Sequence, residues 1–328
     1  MSVKDDVLKF LLENKLEAVS GEEIASSLGV SRNAIWKAIK ALRTEGYEIE
    51  AATNKGYTLV SDNNTLSEQG IRKHLNGNEN IDLHILPVVD STNNYIKRLA
   101  GDGSPEGVVA ISEEQTAGKG RLGRKFESPK KTGIYMSILL RPTFSAEESL
   151  SITTIAAVAT AKAIETVSGF ETQIKWVNDI YMRERKVSGI LTEASVNFES
   201  GKLEYAVLGI GINVKYPEGG FPDEISDIAG AVFEEECGDD IRCRIIAGII
   251  DNFFEYYRKI PNSNHIEEYR SRSLLTGREI SFIQGDEEKS GIVRDIDDDC
   301  HLLVEMPDGS IKEFSTGEVN IKKTFLKR

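Results

Sequence analysis

Gln115-Thr116-Ala117-Gly118-Lys119-Gly120-Arg121-Leu122-Gly123-Arg124 is the stretch on which the fold turns. A strand-like run, Val108 to Ser112, leads into it, and another, Gly133 to Leu140, follows it. Glycines this closely spaced let a backbone approach a ligand and expose its amides, while Lys119, Arg121, Arg124 and Lys125 add positive charge. The segment therefore suits an anion. It lacks the GK[ST] ending of a Walker loop, and no helix opens behind it as in the GxGxxG fingerprint. Taken alone, a solvated flexible loop would explain it as well, so its neighbours decide.

Outward from this loop, elements of both types alternate. Strand-like runs are His84 to Val89, Gln173 to Val177, Gly189 to Ala194 and Tyr205 to Ile210, and helical periods cover Thr92 to Leu99, Ser149 to Val167 and Ile241 to Ile260. This predicts an α+β domain over residues 63–275. The polar run Ser61-Asp62-Asn63-Asn64 reads as a linker before it. Residues 1–62 read as a separate small domain. Val3, Val7, Phe10 and Leu11 share one helical face, Ser20 and Glu23 form a capping box for a helix that Gly29 ends, and Ser31 caps the next. In that helix Ile35, Ala38, Ile39 and Leu42 face inward, leaving Arg32, Asn33, Trp36, Lys37 and Lys40 outside. Ile49 to Leu59, centred on Asn54-Lys55-Gly56, predicts a β-hairpin. From about Gly277 helix signals vanish. Short strands at Glu279–Ile283, Gly291–Asp295, Leu302–Met306 and Ile311–Phe314, with a Pro307-Asp308-Gly309 turn, predict a small β-barrel over 276–328.

The 328 residues are too many for one compact core, and 40% apolar with 28% charged is normal for a folded globular protein. The longest apolar stretches, around Ile152–Ile164 and Ile245–Ile250, fall short of the roughly 20 residues a membrane span requires, so no membrane partner is expected. The N-terminus lacks the pattern of a secretory signal, and Cys237, Cys243 and Cys300 form no CxxC pair; both point to a cytoplasmic protein without structural zinc. A formal charge of −13 argues against a general nucleic-acid coat. Residues 31–43 nevertheless carry four basic residues and no acidic one. That local face suits a major groove, with Lys55 at the hairpin tip adding to it. A three-helix domain with a solvated basic face, or a winged fold used for protein contacts, would share the pattern; the combination favours DNA.

Two further signals lie in the centre. Lys175-Trp176-Val177-Asn178-Asp179 is followed by Lys186-Val187-Ser188-Gly189-Ile190-Leu191, where a lysine before a Gly-containing strand can meet a carboxylate or phosphate. Trp176 reads as a core aromatic, Asp179 equally as a turn former, and a surface lysine is the plain alternative for Lys186. Gly209-Ile210-Gly211-Ile212-Asn213-Val214 lets the backbone pass close to a ligand, or is simply a bulge.

Asp90-Ser91-Thr92-Asn93, GKGRLGR, KWVND, KVSGIL and GIGINV stand in an order and spacing that resemble the biotin–protein ligases, the biotin–[acetyl-CoA-carboxylase] ligases. With the helix-turn-helix, the resemblance is to the bifunctional members that also repress biotin genes, and it covers essentially all 328 residues. Lipoate ligases and octanoyl transferases share the central fold, without GKGRLGR or the N-terminal domain. The resemblance implies an α+β multidomain chain: a winged helix-turn-helix, a mixed-sheet ligase domain like the class II aminoacyl-tRNA synthetases, and a C-terminal barrel. It implies that ATP and biotin give biotinyl-5′-AMP, with Mg²⁺ accompanying ATP near Asn213 and no fixed protein metal site. Biotin then passes to a lysine of a biotin carboxyl carrier protein.

Residue by residue, the resemblance implies that Ser91, Thr92, Asn93 and Gln115 hold the biotin head group, whose ring needs donors and acceptors in an apolar pocket. Lys119, Gly120 and Arg121 would close over biotin and the adenylate phosphate. Lys186 would meet the biotin carboxylate and α-phosphate, so Lys186, Arg121 and Lys119 are the catalytic set. Arg121, Arg124, Phe126, Asn213 and Lys322 are the nucleotide set. Ser31, Arg32, Asn33, Trp36, Lys37, Lys40 and Lys55 are the DNA set, presented to operator DNA by a homodimer that the adenylate, as corepressor, induces. Two departures stand out. Lys119 replaces the first arginine of the usual GRGRxGR and loses its bidentate fork, and Val177 replaces the proline of KWPND.

Overall fold

The computed structural model describes residues 2–52, 55–62, 64–78, 80–144, 149–196, 203–235, 237–285 and 287–321. Near the N-terminus, Ser2 and Asp5 form a reciprocal capping box that starts α1 (Val3–Glu13). Ser20 accepts from the Glu23 amide at 3.0 Å to start α2 (Gly21–Leu28), and Gly29, at φ 65°, ends it. Ser31 accepts from the Ala34 amide at 3.2 Å to start α3 (Arg32–Glu45). Ile35, Ala38, Ile39 and Leu42 are buried as expected. They meet Ile24 and a face of α1 made by Val7, Leu8, Leu11 and Leu12, whereas Val3, expected on that face, is exposed. An antiparallel hairpin of β1 (Glu48–Ala52) and β2 (Gly56–Ser61) completes the winged unit. Gly56 is required there, because a Cβ would sit 2.1 Å from the Val19 carbonyl.

The expected linker is in fact a joint. Asp62 is only 3% exposed; its carboxylate accepts from the amides of Asn64 and Asp240 at 3.0 and 2.9 Å and from Lys15 Nζ at 3.3 Å. Arg242, equally buried, donates to the Asn64 carbonyl at 3.0 Å and to both oxygens of Glu113 at 2.8 and 3.0 Å. A buried guanidinium with this many acceptors holds the chain in place, and those acceptors come from distant sequence.

The chain continues through α4 (Glu68–Arg72), β3 (Asp82–Leu86), α5 (Thr92–Gly101), β4 (Val108–Ser112), β5 (Gly133–Leu140), α6 (Ser149–Ser168), β6 (Gln173–Lys175), β7 (Asp179–Met182), β8 (Arg185–Val196) and β9 (Leu203–Asn213). After these come α7 (Asp223–Ser226), α8 (Ile241–Tyr257) and α9 (His265–Ser271). The strands form one sheet in the order β3-β4-β5-β9-β8-β7-β6, parallel only at β3–β4. Every residue of β5 is buried, because α6 and α8 pack on one face of the sheet and α5 on the other. Helix α6 is, by length and a mean hydropathy of 1.3, apolar enough to cross a membrane, contrary to expectation, but most of it is buried in this core.

The C-terminal strands β10 (Glu279–Gln284), β11 (Glu287–Ile296), β12 (Leu302–Glu305), β13 (Ile311–Phe314) and β14 (Asn320–Ile321) lie antiparallel in the order β13-β12-β11-β10-β14. Among the described residues the edge strands β13 and β14 do not pair, so the sheet is open there and the expected barrel does not close. Its apolar residues Ile280, Phe282, Val293, Ile296, Leu302 and Val304 join the core of α6 and α8. Phe282 of β10 and Phe314 of β13, three places apart in that order, meet at 4.7 Å between ring centroids, so the open sheet curls over its own apolar face.

Candidate active site

A cleft of about 540 Å³ opens where β8 and β9 meet the loop after β4 and the C-terminal segment Gly317–Asn320. Ser91, Thr92, Asn93, Gln115, Lys119, Gly120, Arg121, Arg124, Phe126, Lys186 and Asn213 all line it. One end is polar and nearly dry. Ser91 occupies the N-cap of α5 but makes no side-chain cap bond, although a serine there ordinarily satisfies a free helix amide. Gln115 satisfies one of these amides from outside the helix. Its Oε1 accepts from the Thr92 amide at 2.8 Å, and its Nε2 donates to Ser128 Oγ at 2.9 Å. Asn93 is 4% exposed and lies against Gly209, where a Cβ would come within 2.2 Å of Asn93 Oδ1. The first glycine of GIGINV therefore admits the Asn93 amide.

The other end is cationic. Lys186 Nζ meets Asp179 Oδ1 at 2.6 Å, which gives Asp179 an ionic role at the start of β7. Lys175 also reaches the cleft, and burial holds its ammonium below the usual lysine range, with Lys186 adding to the effect against the pull of Asp179 and Glu318. Arg121 donates to Asn178 Oδ1 at 2.8 Å and to the Gly317 carbonyl at 2.9 Å. Arg124 makes a fork with Glu318 at 2.5 and 2.8 Å; that bond, aided by the charge itself, keeps the Glu318 carboxyl below its usual range. Lys119 donates to Asn94 Oδ1 at 2.6 Å.

The loop is a built structure. The Phe126 amide donates to the Gly118 carbonyl at 3.0 Å and the Gly120 amide to the Arg124 carbonyl at 2.7 Å. Gly118 is needed because a Cβ would lie 2.3 Å from the Phe126 carbonyl, and Gly211 because one would lie 2.6 Å from the Phe126 ring. At the tip, Leu122 is 75% exposed. Asn213 Nδ2 donates to the Gly230 carbonyl at 3.0 Å. Trp176 is buried, as read from the sequence, and donates to the Cys300 carbonyl at 2.9 Å.

In the winged unit, Ser31, Arg32, Asn33, Trp36, Lys37 and Lys40 are exposed on one side of α3, and Lys55 is exposed on the hairpin. Lys40 Nζ lies 5.6 Å over the Trp36 ring. The Ser31 hydroxyl is used as the helix cap. Arg43 is turned away from this face and donates to the Ile49 carbonyl at 2.7 Å. Lys322 lies outside the described residues. Sequence reasoning missed Ser137, Glu193 and Glu318 and gave Lys175 no role. A lone serine in the apolar run Gly133–Leu140 was the available signal for Ser137.

Comparison with known proteins follows the same division. The family model for biotin/lipoate A/B protein ligases matches residues 85–213, an HTH domain model matches 4–58, and the biotin protein ligase C-terminal domain model matches 275–321. The bifunctional ligase/repressor BirA of Bacillus subtilis is 38% identical over 260 residues, 78% of this chain and 79% of that one. Its Escherichia coli counterpart is 30% identical over 307 residues, 92% of each chain. The solved structure of the Aquifex aeolicus biotin protein ligase with biotin and ATP superposes with a TM-score of 0.61 at 28% identity, covering 74% of this chain and 98% of that one. With the motifs gathered in one cleft and the relatives aligned along most of their length, the chain belongs to the biotin protein ligases of the bifunctional ligase/repressor type.

Proposed function

We propose that the protein joins biotin to ATP, giving biotinyl-5′-AMP and pyrophosphate, then transfers biotin to a lysine of a biotin carboxyl carrier protein, and that the adenylate makes it a repressor of biotin genes. The carrying observation is the division of one cleft into a dry polar end and an end lined by Lys119, Arg121, Arg124, Lys175 and Lys186. In the first step the biotin carboxylate attacks the α-phosphorus and pyrophosphate leaves. Two anions must approach, so the residues act by electrostatic stabilisation, with Lys186, Arg121 and Lys119 nearest the forming charge. In the second step the carrier ε-amine attacks the acyl carbon and AMP leaves. No protein nucleophile is required.

Ser91, Thr92, Asn93 and Gln115 are assigned to the biotin ring, Lys119, Gly120, Arg121 and Lys186 to its carboxylate end, and Arg121, Arg124, Phe126 and Asn213 to the nucleotide. Mg²⁺ suits the site because Asn213 and Asp179 supply hard oxygen donors beside the cations, and such an ion usually keeps phosphate and water among its ligands. When bound it would neutralise phosphate charge. The units 1–62, 63–275 and 276–328 are taken as reader, ligase and cap. Operator DNA would meet Arg32, Asn33, Trp36, Lys37, Lys40 and Lys55, presented twice by an adenylate-bound homodimer. ATP, and free thiols at Cys243 and Cys300, suit a cytoplasmic setting. The deciding experiment incubates the protein with biotin, ATP and Mg²⁺ and looks for biotinyl-5′-AMP by mass spectrometry; its absence would sink the proposal.

A further inference from the structure

At the dry end of the cleft, two hydroxyl groups serve three short oxygen–oxygen contacts. Ser137 Oγ lies 2.6 Å from Asn93 Oδ1 and 2.7 Å from Thr92 Oγ1, and Thr92 Oγ1 lies 3.1 Å from Gln115 Oε1. Ser137 is fully buried and Thr92 is 3% exposed, so water does not supply the missing hydrogen. One group outside the chain of contacts settles its direction. Glu193, on β8, accepts from Asn93 at 2.8 Å and from Lys97 at 2.6 Å. A carboxylate only accepts, so Asn93 must turn its Nδ2 toward Glu193 and its Oδ1 toward Ser137. The Ser137 hydrogen then points at Asn93, and Ser137 can only receive from Thr92. The Thr92 hydrogen is thereby used on Ser137, and Gln115 Oε1 is held by the Thr92 amide.

Burial pulls the Glu193 carboxyl upward, and the bonds from Lys97 and Asn93 more than reverse it, so it stays ionised below its usual range. Lys97 and Lys119 are the charged groups acting on it among the described residues.

Resting on the reading of this cleft as a biotin site, we propose that Glu193 and Ser137 are positioning residues. The Lys97-paired carboxylate sets which way round Asn93 lies, and Ser137 passes that choice to Thr92. The pocket therefore presents one fixed pattern of donors and acceptors to the polar ring of its ligand. A glutamine at 193 reverses the constraint: Lys97 only donates and takes the Gln Oε1, so the Nε2 facing Asn93 calls for its Oδ1 and the chain of contacts turns round.

The test uses the full chain, wild type and Glu193→Gln, and reads biotin Kd by calorimetry, kcat and the ATP KM from pyrophosphate release, and the melting midpoint. A 2-iminobiotin titration is added, because that analogue replaces the ring carbonyl acceptor by a donor. Glu193→Gln is expected to weaken biotin about tenfold, as one mispaired buried hydrogen bond does. Its kcat, ATP KM and melting should remain near wild type, and the preference for biotin over 2-iminobiotin should narrow. Equal biotin affinity in the two proteins, or a loss shared by ATP and both ring forms, overturns this inference alone. Wild-type protein that binds no biotin overturns the ligase reading with it. If Glu193→Gln fails to fold, Lys97→Met serves. Its unpaired Glu193 takes up a proton more readily, so biotin Kd should rise from about pH 7 to about pH 5.5 more steeply than in wild type. Parallel profiles would overturn the assignment.

Discussion

Lys186 reaches the cleft beside Asp179 with a side chain 30% exposed, so Lys186→Ala removes a cation without opening the core. Pyrophosphate release should slow by about one and a half to three powers of ten, the effect of losing ~2–4 kcal/mol of transition-state stabilisation, while melting is unchanged. An unaltered burst of pyrophosphate would refute the assignment. His265 gives a second test. Burial pushes its imidazole down to about 4, and its nitrogens meet Thr154 and Ser263 at 3.0 Å each. A base whose folded value is depressed contributes fully above its unfolded value, about 6.5, and loses that contribution as pH falls toward the folded one. Stability should therefore drop by at most about 3 kcal/mol between roughly pH 6.5 and 4, and His265→Gln should flatten that part of the profile in denaturant titrations. Motif residues such as Ser91, Asn93 and Lys186 were legible because their spacing is local. Glu193 and Ser137 were not, since their meaning lies in which atom of Asn93 they face, across separations of 100 and 44 residues.

At the scale of elements, the loop after β4 behaves as a clasp between Asn178, just ahead of β7, and Gly317–Glu318. Arg121→Ala removes its bonds to Asn178 and Gly317, so adenylate retention should weaken more than the binding of biotin itself. Stopped-flow fluorescence distinguishes this from a pocket residue, for which both ligands weaken together. Gly118→Val is harsher, because its Cβ strikes loop backbone at 2.3 Å. The helices of the winged unit were readable from caps and 3.6-residue periods, since Ser20, Gly29 and Ser31 act within their own turns. β7 was not. Its first residue, Asp179, has the composition of a turn and lies in a strand because β8 pairs with it. The barrel failed for a related reason: strand signals locate strands but say nothing of whether the two edges find each other, and β13 and β14 stay apart at opposite ends of the order.

Across the whole molecule, the proposed repressor places two readers on one palindrome, since a single small domain contacts too little DNA for tight specific binding. Biotinyl-5′-AMP should promote dimers more than biotin does, and Arg32→Ala with Lys37→Ala should abolish operator binding while sparing ligation. Gel shifts and sedimentation with and without the adenylate test this; operator binding that ignores the ligand would refute the coupling. Salt titration separates the basic residues further. Lys40→Ala should reduce the slope of log affinity against log salt by about one per reader. Arg43→Ala should leave that slope alone, because its guanidinium is bonded to Ile49 of the hairpin.

The buried joint of Asp62, Asn64 and Arg242 has a geometric corollary for such a dimer. A reader on a slack tether would tolerate half-sites at many separations, paying only a slowly rising chain entropy. A reader bolted to the ligase body behaves as one arm of a caliper, with its opening set by the protein. Half-sites moved apart by about five base pairs, half a helical turn, would face opposite sides of the duplex and escape the second arm.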